Sequence, residues 1–426
     1  MATTLALRED IRAGRYDERL KSVYVTEQQI KAQYERYCRL ADDFDEVFSA
    51  DREVRMFSAP GRTEVGGNHT DHNHGRVLAA GINLDVIALA SKNSDNIVRV
   101  KSRGYAMDVV DLSDLSVHEN EKGHSPALVR GVMQGFLNYG YNIGSFDAVT
   151  ASSVLSGSGL SSSAAYEVLV GTMVNYLFND GKVDPVTIAK IAQYAENEYF
   201  GKPCGLMDQM ACSVGSFISI DFENPAEPII EKVDFDFASC GHSLCIVDTK
   251  GSHSNLTDEY AAIRIEMESV AKQFGKNVLR EVDKADFEKK IPELRKAVGD
   301  RAVLRAIHFY NDNDRVLKEV AALRANDFEA FKSLILESGA SSYMYNQNVF
   351  APKQPDVQPV SLALAISEGV LKGKGAWRVH GGGFAGTIQA FVPNELLEKY
   401  KAAMEGVFGE GSCYVLSVRP IGGAEI

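Results

Sequence analysis

The sequence predicts an α+β protein of two domains. Three observations carry that reading. The chain has 426 residues, more than one hydrophobic core ordinarily organises. Hydrophobic residues make up 45% and charged residues 24%, the balance of a folded chain and not of a disordered one. Short β-branched or alternating runs recur in both halves between stretches of helical spacing, without internal repeats or low-complexity segments.

Residues 1–50 set charged and apolar residues at helical spacing, as in VTEQQIKAQYERYCRLADDFDEVF, and read as an amino-terminal helical arm packed on the outside. From Arg55 the pattern changes. MFSAP, RVLAAGINLDVIALAS, NIVRVKS and AMDVVDLS are apolar or alternating runs broken by Gly, Asn and Asp, hence strands. Ser125-Pro126 opens a helix with Ser as N-cap and Pro at N1. The strand SFDAVTASSV then leads into a glycine-serine loop and a helix running to about Asn179; a further helix runs from Asp184-Pro185 to near Phe200. Strands FISIDF and SLCIVDTK precede a helical stretch from about Asp258 to Tyr345, divided by Pro292 and by the polar Asn311-Asp312-Asn313. A helix SLALAISEGVL, strands AWRVH and TIQAFV around three glycines, a helix from Asn394 and a strand SCYVLSV complete the chain. The resulting division is an arm (1–50), a first domain (51–225) and a second domain (226–426).

Composition excludes several classes. The six cysteines (Cys38, Cys204, Cys212, Cys240, Cys245, Cys413) lack CxxC spacing, so neither a disulfide framework nor a zinc ribbon is indicated and a reducing cytoplasm is expected. Acids and bases interrupt MATTLALREDIRAGRYDERL where a signal peptide needs an apolar run, and no later run is long enough to span a membrane. The net charge is −13, from 45 basic and 58 acidic residues, with no basic tract to bind nucleic acid.

Four stretches could carry chemistry. Gly157-Ser158-Gly159-Leu160-Ser161-Ser162-Ser163 enters an apolar helix and reads as an anion cradle. Glycines permit close backbone approach, the free N–H groups and dipole of a helix N-terminus favour phosphate oxygens, and serines add donors or a Mg²⁺ ligand. The competing reading is a flexible loop ending at an ordinary N-cap. A polar loop over 60–75 holds Arg62, Glu64, Asn68, His69, Asp71, His72 and His74. Its residue types suit vicinal hydroxyls of a sugar; a zinc site is the alternative, although adjacent ligands on a loop match helix-spaced zinc motifs poorly. Asp208 follows a Pro/Gly turn and is either a helix N-cap or a catalytic carboxylate. Gly381-Gly382-Gly383-Phe384-Ala385-Gly386 marks close backbone approach or a plain hairpin turn.

Taken together and in this order, PGR…HTD, GSGLSSSAA, CGLMDQ and GGGFAG resemble the GHMP family of small-molecule kinases, and within it the branch that phosphorylates galactose. The resemblance runs from about residue 55 to the end, with a longer amino-terminal arm than the family usually carries. It implies a first domain like domain 2 of ribosomal protein S5, a ferredoxin-like second domain, and transfer from ATP with Mg²⁺ to the anomeric hydroxyl of D-galactose. Gly157, Ser158, Gly159, Leu160, Ser161, Ser162 and Ser163 then wrap the ATP phosphates, and Ser163 and Glu196 match the magnesium positions, although Glu196 on its own reads as a solvated helix charge. Asp208 matches the catalytic carboxylate and Arg62 its partner; His69 and Asp71 match sugar contacts, Gly205 a backbone contact and Tyr260 the residue capping the sugar. Glycines 381–383 match a segment that buttresses the substrate.

Departures concentrate on the sugar loop. Asn68 stands where the family has a sugar-contacting Glu, His72 where it has Tyr, and Glu64, where Asn is usual, is expected to compensate for Asn68. These changes keep open a kinase for galacturonate, N-acetylgalactosamine or another hexose, and a sugar- and ATP-sensing regulator is the reading from a different class. A monomer is expected, with a sugar and ATP as its partners and neither nucleic acid nor membrane.

Overall fold

The structure is a computed structural model that describes residues 2–50, 52–154, 159–251 and 256–426. By internal contacts it divides into two units: Met1–Arg62 with Ala80–Ser216 and Arg419–Ile426, and Thr63–Ala79 with Phe217–Val418.

In the first unit the strands run in the order Ala2–Thr3, Glu53–Gly66, Arg76–Lys92, Phe146–Ser152, Ile97–Ser102, Met107–Asp111, and Ala424–Glu425 adds beside Glu53–Gly66. Residues 63–79, which include the facing ends of Glu53–Gly66 and Arg76–Lys92, belong to the second unit. Ile97–Ser102 pairs parallel with Phe146–Ser152, so the latter, central strand delivers the chain to the glycine-serine loop. The helix after that loop, Ser162–Phe178, is apolar on nearly every side, with Ala164, Val168, Leu169, Met173 and Val174 all inaccessible. Such a helix is stable only inside a core, and this burial fixes where its N-terminus points.

The arm forms helices Thr4–Arg12, Asp17–Lys21 and Glu27–Val47, the last opened by a Thr26–Gln29 capping box. Its apolar stripe of Leu7, Ile11, Leu20, Ile30, Tyr37, Leu40 and Phe44 packs with sheet residues Val54, Met56, Ile87, Leu89 and Val149. Beneath it Asp85, wholly buried, pairs with Arg36 at 2.6 Å and Arg419 at 3.3 Å and accepts from Ser58 at 2.5 Å. The helix expected from Ser125 starts there, but its N-cap is His124; the Ser125 hydroxyl donates to Asp108 Oδ1 at 2.8 Å and is not spent on the helix end.

The second unit contains a four-stranded antiparallel sheet in the order Ala376–Val379, Thr387–Pro393, His242–Asp248, Cys413–Leu416. In chain order that is second, third, first, fourth, with helices between the first and second strands and Leu397–Phe408 between the third and fourth. This is the ferredoxin-like arrangement. Asp300–Arg324 is one continuous helix, so Asn311-Asp312-Asn313 does not break the chain. Asp312 and Asn313 are buried and accept backbone N–H groups from Asn68 at 3.0 Å and Arg76 at 2.9 Å; polar residues that favour turns in isolation are satisfied here by distant partners. Pro292 likewise lies inside helix Lys284–Ala297, where Glu288, the residue whose carbonyl it cannot bond, is exposed. Among the described residues no helix is long and apolar enough to cross a membrane.

Candidate active site

In the first unit the site is built around Asp208, which lies in the first turn of helix Met207–Val214. It is not the cap; Leu206 occupies that position. Arg62 Nε donates to Asp208 Oδ1 at 2.8 Å, and the Ser161 hydroxyl donates to Oδ2. A second Arg62 nitrogen, Nη1, donates to the Gly159 carbonyl, so one guanidinium ties the carboxylate to the end of the glycine-serine loop. Burial pushes the Asp208 carboxyl upward, but the Arg62 charge and the hydrogen bonds from Arg62 and Ser161 outweigh it and hold the group below its usual value. With its side chain 34% exposed, the carboxylate is ionised and reachable.

Ser161 is the N-cap of Ser162–Phe178 and has left-handed backbone angles (φ 57°, ψ 58°), which turn its side chain to Asp208 and away from capping. A non-glycine residue in that region is strained and is held there by its surroundings. Gly157 and Ser158 lie outside the described residues. A cavity of about 520 Å³ borders this helix end, lined by Ser162 and Ser163 together with Arg36, Ser102, Arg103, Tyr105 and Tyr166. Among the described residues it has two arginines and no acid in its wall.

Glu196, expected on its own to be a solvated helix charge, is instead buried. Its Oε1 accepts from Ser163 Oγ at 3.3 Å and from Lys202 at 3.2 Å, and its Oε2 accepts from Gln209 at 2.7 Å. The second Gln209 amide hydrogen reaches Glu167 at 3.2 Å. Burial, then the negative charge of Glu196, pushes the Glu167 carboxyl well upward.

In the second unit the loop after Glu53–Gly66 is shorter than expected, because the strand continues through Arg62 and Glu64. His69 Nε2 donates to the Gly382 carbonyl at 2.9 Å, which leaves Nδ1 as the acceptor. Asp71 begins a 3₁₀ turn, Asp71–Asn73, and its half-buried carboxylate accepts no hydrogen bond from the described residues. Tyr260 donates to the Gly383 carbonyl at 2.9 Å and meets Phe384 edge-on at 5.3 Å. A Cβ on Gly382 would lie 2.6 Å from the Tyr260 ring, so the glycine run is a bed for that ring and not a plain hairpin turn. Asn68 and Glu64 are buried in hydrogen bonds to protein, and Gly205 is exposed in the turn before Asp208. Burial pushes His72 down to about 4, and its Nδ1 accepts from Asn73 at 3.0 Å. Among the described residues no three His, Cys, Asp or Glu side chains gather as metal ligands.

Residues 127–216 match the model of the GHMP kinases N terminal domain, and residues 42–92 match the galactokinase galactose-binding signature. A galactokinase of Clostridium beijerinckii is 34% identical over 395 residues, 89% of this chain and 96% of that protein. One from Streptomyces coelicolor is 31% identical over 374 residues, 87% and 92% of the two chains. The chain belongs to the galactokinase family of GHMP kinases. Its fold agrees: the Lactococcus lactis galactokinase solved with galactose superposes with a TM-score of 0.75 at 24% identity, over 90% of this chain and 98% of that one. Methanococcus jannaschii mevalonate kinase superposes with a TM-score of 0.60 at 13% identity, over 86% and 98%.

For a galactokinase-family kinase ATP is the phosphoryl donor, and the residues at the helix end would suit a divalent cation such as Mg²⁺. Ser163 and Glu196 offer hard oxygen donors side by side at the helix end, as a cation shared with phosphate oxygens requires. The sequence does not single out Arg36, Arg103 or Tyr105 in the cavity wall. Arg36 comes from the arm and Tyr105 from a turn between two strands, and no local pattern announces either.

Proposed function

We infer that this chain transfers the γ-phosphoryl group of ATP to the anomeric hydroxyl of D-galactose, giving α-D-galactose 1-phosphate and ADP. The observation that carries the reading is the Ser161–Asp208 contact. One residue belongs both to the helix end suited to phosphate and to the carboxylate suited to a sugar hydroxyl.

Asp208 accepts the hydrogen bond of the anomeric hydroxyl and orients its oxygen toward the γ-phosphorus. Held low in pKa by Arg62, it is a weak base toward a neutral hydroxyl, so proton transfer comes late, after bonding to phosphorus has made that oxygen acidic. Arg62 and the backbone N–H groups from Gly159 to Ser163 are placed for charge on the transferring phosphoryl oxygens. The 520 Å³ cavity takes the nucleotide. Ser163 and Glu196 would hold Mg²⁺, which when bound neutralises phosphate charge and aligns the β- and γ-groups. His69 and Asp71 bind sugar hydroxyls, Tyr260 covers the ring, and the Gly205 backbone is a further sugar contact. All six cysteines are free, in keeping with a reducing cytoplasm.

An ADP-release assay across D-galactose, D-galacturonate, N-acetylgalactosamine and glucose tests this. Galactose should rank first, with turnover dependent on Mg²⁺ and lost in Asp208→Ala. Galactose ranking well below another sugar would overturn the substrate, and turnover intact in Asp208→Ala would overturn the mechanism.

A further inference from the structure

The loop that carries His69 and Asp71 rests on a buried polar network in the second unit, and Asn68 is its hub. A carboxamide has two donor hydrogens and two acceptor lone pairs. Asn68 uses all four within the protein. Its Nδ2 donates to Glu64 Oε1 at 2.9 Å and to the Gly381 carbonyl at 2.8 Å. Its Oδ1 accepts from Asn348 Nδ2 at 2.9 Å and from Ser342 Oγ at 3.2 Å. The main chain is tied as firmly: the N–H donates to Asp312 at 3.0 Å, and His308 Nε2 donates to the carbonyl at 2.9 Å. Asn68 has no accessible surface.

Glu64 is buried and committed through one of its oxygens. The oxygen that receives Asn68 also receives Arg378 Nη2 at 2.9 Å, while Arg378 spends Nη1 on Val65 O at 2.8 Å and Nε on Val379 O at 3.0 Å. Glu319 fills the floor, so close that a Cβ on Gly66 would fall 1.9 Å from its Oε2. His69 and Asp71 contrast with this. The Asp71 carboxylate and the His69 Nδ1 accept no hydrogen bond from the described residues.

We propose that Asn68 and Glu64 are positioning residues, which lock the loop so that His69 and Asp71 meet the substrate, and that neither touches the sugar. This rests on the reading of His69 and Asp71 as sugar ligands. A side chain whose every hydrogen-bonding site is filled gains nothing by turning to a ligand, and leaving the network would strand buried partners. The exchange of an acid for an amide at 68 therefore does not retune a sugar contact. It lets the position donate to Glu64, which a carboxylate could not do.

Kinetics with D-galactose and its 2-, 3-, 4- and 6-deoxy derivatives test the proposal on the full chain and on Asn68→Ala. The expected result is a loss in kcat/KM of about tenfold or more that is the same, within about twofold, for every sugar, with the KM for ATP unchanged. A loss that disappears for one deoxy sugar identifies a direct contact to the missing hydroxyl and overturns the proposal. Hydrogen exchange of the sugar-free protein supplies a readout independent of turnover. Amides of residues 66–75 and 381–384 should exchange about tenfold faster in Asn68→Ala, and less so in Ser342→Ala, which removes a single bond and keeps the fold. Unchanged exchange in both variants would also overturn it. If the wild-type chain does not phosphorylate galactose, the substrate reading fails by itself, and exchange alone decides the positioning role.

Discussion

Ser161 reaches the Asp208 carboxylate from a left-handed backbone, and Arg62 grips the other oxygen of the same carboxylate at 2.8 Å. Both donors hold the group ionised. A sugar hydroxyl must therefore find an acceptor already oriented, and the chemistry depends on how firmly those two donors hold it.

The first prediction follows from the sign of that effect. A carboxylate depressed below its usual value works above its pKa and fails as pH falls through it. In Arg62→Ala the restraint is gone while burial still pushes upward, so the acid limb of kcat against pH moves to higher pH. Ser161→Ala should move it the same way by less. Asp208→Asn should lower kcat by about 10²- to 10⁴-fold with a smaller change in KM for the sugar. An acid limb that stays in place in Arg62→Ala would show that Asp208 does not set it.

A second prediction concerns the cavity. Tyr105 is 69% exposed on its rim, and Arg103 is held there by Asp43 of the arm at 2.5 Å. An exposed aromatic face beside two guanidinium groups suits a nucleobase and its phosphates. Tyr105→Ala and Arg103→Ala should each raise the KM for ATP by about three- to tenfold and leave the KM for galactose unchanged. Isothermal titration with ADP checks the same effect without turnover.

A third concerns Glu319. Burial first, then Asp312 and Glu64, push its carboxyl up to about 8 against the pull of Arg378 and Arg315. The unfolded chain ionises this group near 4.5 while the folded chain keeps the proton. Stability from this site is thus complete below the lower value and is lost as pH rises toward the upper one, by about 1.4 kcal/mol per pH unit. Urea denaturation at pH 5 and pH 8 should show Glu319→Gln losing less stability over that range than the wild-type chain. Equal losses would mean that Glu319 is already ionised in the folded state.

How much of this was legible in the sequence depends on the range of the forces involved. The glycine-serine loop, the carboxylate after the Pro/Gly turn and the glycine run are set by local backbone geometry, which residue types announce. Runs that alternate as strands do announce the strands of the second unit, whereas their ferredoxin-like order is implied by the family resemblance and not by any local pattern. Asn311-Asp312-Asn313 read as a break because the groups that satisfy Asp312 and Asn313, the N–H groups of Asn68 and Arg76, lie more than two hundred residues away in the chain. Arg36 was invisible for a related reason. Its place in the cavity wall depends on Asp85, a partner on a strand 49 residues further on. The burial of Glu196 is likewise a tertiary fact, since a helix position carries no mark of what packs over it.

The last prediction is that hexuronates are not substrates. A sugar carboxylate needs a cation to receive it, since a buried unpaired charge is costly. Arg378, the guanidinium hydrogen-bonded to Glu64 in the same unit, gives its donors to Glu64, Val65 and Val379. What the loop turns outward is Asp71, itself an acid, and the acceptor nitrogen of His69. Both can accept hydrogen bonds from neutral hydroxyls, and a carboxylate at the first repels an anion. D-galacturonate should therefore show kcat/KM at least about a hundredfold below D-galactose, a difference of nearly 3 kcal/mol. Asp71→Asn should narrow the gap by removing the repulsion, at a cost in galactose turnover. Comparable kcat/KM for the two sugars in the wild-type chain would mean that a cation from elsewhere in the protein reaches the C6 position.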